Sequence, residues 1–551
     1  MTVHASYRYD ASAFRDVFEH HFTYLAGVRR NSHRFASRPA LSDPASGRRW
    51  TYAELWCDAG RLADALRANG VAPGDAVVFA LFNGPEFALL WLAAQRLGAI
   101  PSPINFRLSA GEIAYVLDDS RPRAFVYDET LMATAAQALT LAGHRPGLLV
   151  AAGADVEPAT PFAQLLASGD PAAEPEPPAD RGIYDESTRL YTSGTTGMPK
   201  GVSLNSLVEV LSAHDVIMHF PLAPQDRTLN MTPWFHRGGL YSGGPNPVLY
   251  VGAEAVALRQ FDPATVLDWV HEHELTFLIG APTNLAMLAA EQTTRPRDLS
   301  SLSGIVTMGA PLDREACLRY QDLLTARIFN GYGTTEAFWN TFLRPSDLPE
   351  HAGSAGRACT DDDVAVVRLY EDRAAAPDDH VAKDGSEVGE VVVRSVKAGY
   401  AYVNQAAEQA ARFRDGWLYI GDLATWDEDE YVTIVGRKDD MIISGGENVY
   451  PTQVEAVLSE HPQIADAAVV GLADERWGEL VVAYVLAADP GLDAAECDRH
   501  CRDHPMLADY KRPRAYRLVS ELPMTATGKK LHYRLRDQAV RDAADGLLTR
   551  P

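Results

Sequence analysis

Tyr191-Thr192-Ser193-Gly194-Thr195-Thr196-Gly197-Met198-Pro199-Lys200-Gly201 packs hydroxyl side chains, glycines and one lysine between an apolar run and a new helical segment. The glycines let the backbone turn through positive φ and approach oxygens closely. Thr192, Ser193, Thr195 and Thr196 offer O–H donors, and Lys200 offers a mobile cation, so the loop suits a polyphosphate. It is not a Walker loop, because the Gly-x-x-x-x-Gly-Lys-Ser/Thr spacing is absent and Lys200 follows a proline. A flexible Ser/Thr/Gly linker is the plain alternative, and the closing Pro199-Lys200-Gly201 argues against it.

Outward from this loop, a chain of 551 residues is too long for one core and predicts a few domains. With 50 Lys and Arg against 74 Asp and Glu the net charge is −24, which repels nucleic acid and anionic lipid. Residues 1–10 lack the apolar core of a signal peptide, and no apolar run approaches bilayer length, so a cytoplasmic enzyme of small molecules is expected. The five cysteines give no disulfide framework. Cys497, His500, Cys501 and His504 have spacings that share a helical face, but they lie in a charged amphipathic stretch without a glycine-bearing knuckle and read as plain helix.

The first four hundred residues alternate short β-rich runs with helical periods, as in 75–81 followed by 85–97, which predicts parallel sheets. An Ala/Pro/Glu-rich stretch over 169–180 reads as a surface linker ahead of the hydroxyl loop. Residues 387–402 switch to alternating valines with glycines, favouring an antiparallel or barrel-like sheet. After Gly436 a charged join, Arg437-Lys438-Asp439-Asp440, precedes a helix over 452–460 and strands over 465–471 and 480–486, the pattern of a small α+β unit. The expected class is therefore α/β, with domains over 1–436 and 437–551.

Four further motifs follow the loop: Asn330-Gly331-Tyr332-Gly333-Thr334-Thr335-Glu336, then Tyr419-Ile420-Gly421-Asp422, Gly436-Arg437-Lys438-Asp439-Asp440, and Thr527-Gly528-Lys529. In composition and order the five resemble the adenylate-forming superfamily of acyl-CoA ligases, luciferases and peptide-synthetase adenylation domains. The resemblance runs from about residue 50 to 535. It implies a large N-terminal domain of αβ subdomains with a small β-barrel-like subdomain, and a small mobile C-terminal lid turning about Asp439.

The resemblance implies ATP, Mg²⁺ and CoA as reaction partners. A carboxylate attacks the α-phosphorus of ATP, and the resulting adenylate passes its acyl group to a thiol. All reacting groups of the first step are anionic, so preorganised donors and a cation must hold them in line. Lys529 then bridges acid and α-phosphate, while Thr192, Ser193, Gly194, Thr195, Thr196, Gly197 and Lys200 receive the other phosphates. Glu336, with Thr196, holds the hard cation Mg²⁺. Asp422 and Arg437 match ribose ligands, Gly309, Ala310, Pro311, Asn330, Gly331 and Tyr332 match the adenine slot, and Gly333, Thr334 and Thr335 are further nucleotide-binding positions. Gly445 and Gly446 match a pantetheine tunnel, and Trp477, Tyr510 and Arg512 an aromatic and cationic face for the CoA nucleotide.

The acid pocket is expected from Trp234, Phe235, His236, Arg237, Gly238, Tyr241, Thr283 and Phe338, with His236 at the adenylate gate. It is apolar and aromatic, and the aspartate that amino-acid-activating relatives carry is absent between Thr232 and Tyr250. A cyclic or aromatic acid is therefore expected, with no nucleic acid or membrane partner and homodimerisation left open. Two departures, Ser203-Leu204-Asn205-Ser206 and Ile420, touch the nucleotide half and are either neutral drift or the mark of an enzyme keeping only thioester formation from an adenylate made elsewhere. A stand-alone adenylating enzyme that loads a carrier protein is the other alternative to a CoA ligase.

Overall fold

Pro85 occupies the first helical position, where its missing N–H is no loss, and Gly98 closes the helix at φ 75°, so the expected helix forms over Pro85–Leu97. Ala76–Ala80 enters it and Ile100–Pro103 leaves it as the parallel neighbour of Ala76–Ala80. The computed structural model that shows this describes all residues except 1–10, 154–156, 194–197, 371–372, 400, 445–446, 475–476, 505–506, 508 and 525–529, and the side chains of Ser193, Asp439, Glu447 and Asn448.

The Pro85 unit belongs to a five-stranded parallel sheet ordered Ile100–Pro103, Ala76–Ala80, Ala124–Asp128, Leu148–Ala152, Thr160–Pro161. Every residue of Ala76–Ala80 is buried, as a strand covered on both faces requires. A second sheet of nine strands runs from Arg357–Ala358 through Phe338–Leu343, Ile328–Thr334, Gly304–Met308, Phe277–Gly280, Arg227–Asn230, Glu254–Val256 and Pro39–Asp43 to Arg48–Thr51. Its centre is parallel and both ends are antiparallel. The hydroxyl loop joins the two arms of a hairpin, Glu186–Ser193 against Pro199–Asn205.

Between Asp362 and Arg437 lies a third, five-stranded antiparallel sheet, where the valine alternation expects a barrel-like subdomain. The fourth sheet begins at Ile442 and includes Ile464–Asp474, Gly478–Ala487 and Ala515–Val519, with helices Pro451–Ser459, Ala494–Asp503 and His532–Ala544. Its core holds Ile442, Val454, Leu458, Val469, Val481 and Tyr516. The chain is thus α/β, with a large N-terminal domain and a smaller C-terminal one. Cys497 and Cys501 are buried in that smaller core, His500 donates to Val457 O (2.7 Å) and His504 to Glu460 (2.8 Å), so the four side chains serve packing and helix contacts. The 169–180 linker is anchored, since its Glu174 pairs with the fully buried Arg96 at 2.6 Å. Among the described residues no helix is long and apolar enough to cross a membrane.

Candidate active site

The hairpin that carries the hydroxyl loop is tied to the segment after the third sheet's second strand: Val202 bridges Tyr402, Val403 N donates to Gly201 O (2.8 Å) and Ser203 N to Ala401 O (3.2 Å). This seam puts the Tyr402 hydroxyl on Glu336 Oε1 at 2.7 Å. Thr192 pairs with Lys200 across the hairpin. Gly194, Thr195, Thr196 and Gly197 lie outside the described residues, as does the Ser193 side chain. Lys200 is buried, and its ammonium meets Glu408 Oε1 at 2.7 Å. That contact holds the Glu408 carboxyl below its usual range. An incoming anion therefore meets a lysine already paired. Sequence reading missed Tyr402 and Glu408, which no motif marks.

Asp422 is buried, and each of its oxygens takes one protein donor: Oδ2 from the Tyr332 hydroxyl (2.8 Å), Oδ1 from Arg437 Nε (2.7 Å). Asp422 and Arg437 are cross-strand partners, so the third and fourth motifs meet through sheet register, and the Tyr332 hydroxyl brings in the second motif from the nine-stranded sheet. Gly421 precedes Asp422 at φ 79°, a turn that an L side chain would strain. Burial and then the Asp422 charge push the Tyr332 phenol far up, keeping it a donor. At Gly333 a Cβ would lie 1.6 Å from the Phe338 carbonyl oxygen, so only glycine lets this strand fold back on its neighbour. Asn330 donates to Ser354 O (3.3 Å), and Thr334 Oγ1 accepts from Ala337 N (3.3 Å). Gly309, Ala310 and Pro311 follow the end of strand Gly304–Met308, and Thr335 begins the turn that carries Glu336.

Trp234, Phe235, Tyr241 and Phe338 are buried, as is Trp339. Phe338 stacks on Trp339 (4.7 Å between centroids) and adopts φ 61°, a conformation that costs a non-glycine residue about 1–3 kcal/mol. His236 precedes helix Arg237–Tyr241 and packs on the Phe235 ring (4.2 Å). Burial, and then Arg107, push its imidazole pKa down to about 4, so it is neutral at pH 7. Arg237 lies over the Tyr241 ring at 4.2 Å, and a Cβ on Gly238 would meet Met308 Sδ at 2.9 Å. Thr283 is exposed in the first turn of helix Pro282–Thr294, and none of the described hydrogen bonds joins it to this cluster.

Lys529, Gly445 and Gly446 fall outside the described residues. On the flanks of the Lys529 stretch, Met524 bridges Lys530 and Leu531 N donates to Pro523 O (2.9 Å). Lys530 is anchored by Asp466 (2.8 Å) and Glu455 (3.2 Å), and Glu455 also accepts from His532 (2.7 Å) and Val469 N (2.8 Å). Asp439 lies in the short helix Lys438–Asp440, whose neighbour Asp440 pairs with Arg536. Arg512, expected on the CoA face, is drawn instead into pairs with Asp498 and Asp509. The cation over Trp477 is Arg514, at 5.6 Å, and Lys511 lies 5.6 Å from the half-exposed Tyr510 ring.

Residues 28–402 match the AMP-binding enzyme family, and residues 453–529 match the AMP-binding enzyme C-terminal domain. The chain is 35% identical over 488 residues to an indoleacetate–CoA ligase of Aromatoleum aromaticum, covering 87% of this chain and 91% of that one. It is 36% identical over 485 residues to a feruloyl-CoA synthase of an Amycolatopsis species, covering 87% and 92%. Its fold is similar to the crystal structure of the anthranilate CoA ligase AuaEII in complex with anthranoyl-AMP, with a TM-score of 0.84, 26% identity, and 95% and 98% of the two chains covered.

Proposed function

The chain belongs to the AMP-binding enzyme family, and on that premise we propose an ATP-dependent acid–thiol ligase that activates an aromatic carboxylic acid. In the first step the carboxylate attacks ATP, giving acyl-adenylate and pyrophosphate. In the second the CoA thiol displaces AMP and leaves the acyl-CoA thioester. The observation that carries this reading is that three parts this chemistry needs are present together: the hydroxyl hairpin seamed to Tyr402–Glu336, the Tyr332–Asp422–Arg437 cluster, and a buried aromatic cluster. Relatives acting on indoleacetate and ferulate support the aromatic acid.

Each Asp422 oxygen has one protein donor and keeps lone pairs for ribose hydroxyls, while Arg437 fixes the carboxylate plane. Glu336 accepts a hydrogen bond from the Tyr402 hydroxyl through Oε1, leaving carboxylate oxygen suited to a hard cation. Glu336 with Thr196 would hold Mg²⁺, which when bound neutralises phosphate charge. Lys529 carries the positive charge that the pentacovalent phosphorus needs. The domain over 437–551 turns about Asp439 after adenylation and brings Gly445, Gly446, Trp477 and Tyr510 to the acceptor thiol. The aromatic pocket excludes water from the adenylate, and neutral His236 sits at its gate without adding a charge. The enzyme is placed in the cytoplasm, acting on small molecules.

Incubation with ATP, MgCl₂ and CoA plus benzoate, indole-3-acetate, ferulate, acetate or glycine, read by mass spectrometry, tests the reading. Aryl-CoA esters and AMP are expected. Preference for acetate or glycine would reject the pocket argument, and transfer only to a carrier protein would change the acceptor. Thioester formed only from supplied adenylates would reduce the enzyme to its second half.

A further inference from the structure

Arg237 is 4% exposed, yet its charge is matched by no ion pair among the described residues. Its guanidinium carbon lies 4.2 Å from the Tyr241 ring centroid and 5.4 Å from that of Phe338, two side chains of the aromatic cluster. Nη2 donates to Ser212 Oγ (2.9 Å) and Lys397 O (3.4 Å). Nε and Nη1 are buried and meet no acceptor. Two carboxyls act on this charge without pairing with it: Glu336, which accepts from the Tyr402 hydroxyl (2.7 Å), and Glu209, which accepts from Ser187 Oγ (3.2 Å) and Asn246 Nδ2 (2.8 Å). Burial pushes the Glu209 carboxyl up toward its neutral form.

A purely structural arginine tying helix Ser206–His219 to Lys397 would need only the Nη2 contacts. A neutral glutamine could make them without burying a charge. Two buried nitrogens whose N–H groups are left without acceptors, on a cation that aromatic faces cannot neutralise, are costly unless a ligand completes them. Their complement is an oxygen acceptor, best an anionic one.

We propose that Arg237 forms an acceptor subsite in the acid pocket. The acid this enzyme activates carries, beyond its reacting carboxylate, a second oxygen acceptor, either another carboxylate or a phenol oxygen, that takes the free Nε and Nη1 donors. This rests on the aromatic-acid reading and narrows it: an unsubstituted ring leaves both donors unpaired, whereas a substituted ring satisfies them. Discrimination of this kind is far larger than a hydrophobic wall alone provides.

The test compares kcat/KM for acid-dependent ATP–pyrophosphate exchange with benzoate, 3- and 4-hydroxybenzoate, and benzene-1,3- and 1,4-dicarboxylate, in the unaltered enzyme and in Arg237→Met and Arg237→Lys. At least one substituted acid is expected to exceed benzoate by about a thousandfold or more. That ratio should collapse toward one in Arg237→Met and stay intermediate in Arg237→Lys, which keeps the charge. A ratio near one for every isomer in the unaltered enzyme would overturn the proposal. So would an unchanged ratio in Arg237→Met, because equal loss for all acids assigns the residue to the reacting carboxylate or to packing. Should Arg237→Met fail to fold, the unaltered enzyme and Arg237→Lys decide on the same ratios. Absence of exchange with any aromatic acid, benzoate included, would instead count against the aromatic-acid reading itself.

Discussion

Asp422→Asn removes one charge and no volume, and its effect can be sized from the contacts around it. The carboxylate is buried and spends one oxygen on Tyr332 at 2.8 Å and the other on Arg437 at 2.7 Å, so two acceptor sites remain for the ribose. Hydrogen bonds to a charged acceptor contribute about 1.5–3 kcal/mol and neutral ones about 0.5–1.5, so each ribose bond loses about 1 kcal/mol on substitution. Two such bonds make about 2 kcal/mol, or roughly thirtyfold in ATP affinity. Asparagine also offers one oxygen where aspartate offers two, so Tyr332, Arg437 and the ribose compete for it. The Arg437 side chain is 37% exposed, and water screens the loss of its pair, so the melting temperature should fall by only a few degrees. Titration calorimetry with ATP, and with 2′- and 3′-deoxy ATP, measures this. The unaltered enzyme should distinguish ATP from the deoxy analogues, and Asp422→Asn should distinguish them much less while the KM of the acid stays the same. An Asp422→Asn enzyme with unchanged affinity for ATP would refute the ribose assignment.

Asp439→Pro fixes φ at the expected hinge, so thioester formation should slow more than pyrophosphate release in single-turnover assays of each half-reaction; equal effects would move the hinge elsewhere. Glu455→Gln loosens the anchor of Lys530 and should lower adenylation by about tenfold while thioester formation from supplied adenylate falls less. Equal losses, or an unchanged rate, would deny Glu455 a part in positioning the Lys529 stretch. His236 has a folded pKa of about 4, below its unfolded value, so the unfolded chain binds more protons at mildly acid pH. Its contribution destabilises progressively as pH falls from about 6.5 to about 4, by on the order of 3 kcal/mol, and is absent above that window. Thermal melts of His236→Gln should show a flatter acid limb than the unaltered protein, and identical limbs would contradict the shift.

Much of the fold was legible because local rules and tertiary demands agree. Pro85 and Gly98 mark the two ends of one helix, and Thr51-x-x-Glu54 and Ser109-x-x-Glu112 form capping boxes at the start of two others. The helix expected over 452–460 forms over Pro451–Ser459, and the strands expected over 465–471 and 480–486 extend to Ile464–Asp474 and Gly478–Ala487, because pairing prolongs a strand past its apolar stretch. Sheet order was not legible. Leu41 pairs with Ala255 across more than two hundred residues, a contact no periodicity encodes. In the site, Tyr332, Asp422 and Arg437 were named from motifs; Asp422 and Arg437 meet through strand register, and Tyr332 joins them by a side-chain hydrogen bond from another sheet. Lys200–Glu408, Tyr402–Glu336 and Arg512–Asp498 are tertiary pairings of single charged or hydroxylated side chains, which any solvated residue could have supplied.

Acid-dependent ATP–pyrophosphate exchange without CoA tests the central claim most directly, because it isolates the adenylation step and needs no acceptor. With an aromatic acid and Mg²⁺ the enzyme should return labelled pyrophosphate into ATP, and Lys529→Ala should abolish the exchange while still forming thioester from a supplied acyl-adenylate and CoA. No exchange with any carboxylic acid, in an enzyme that still converts supplied adenylates to thioesters, would contradict the account.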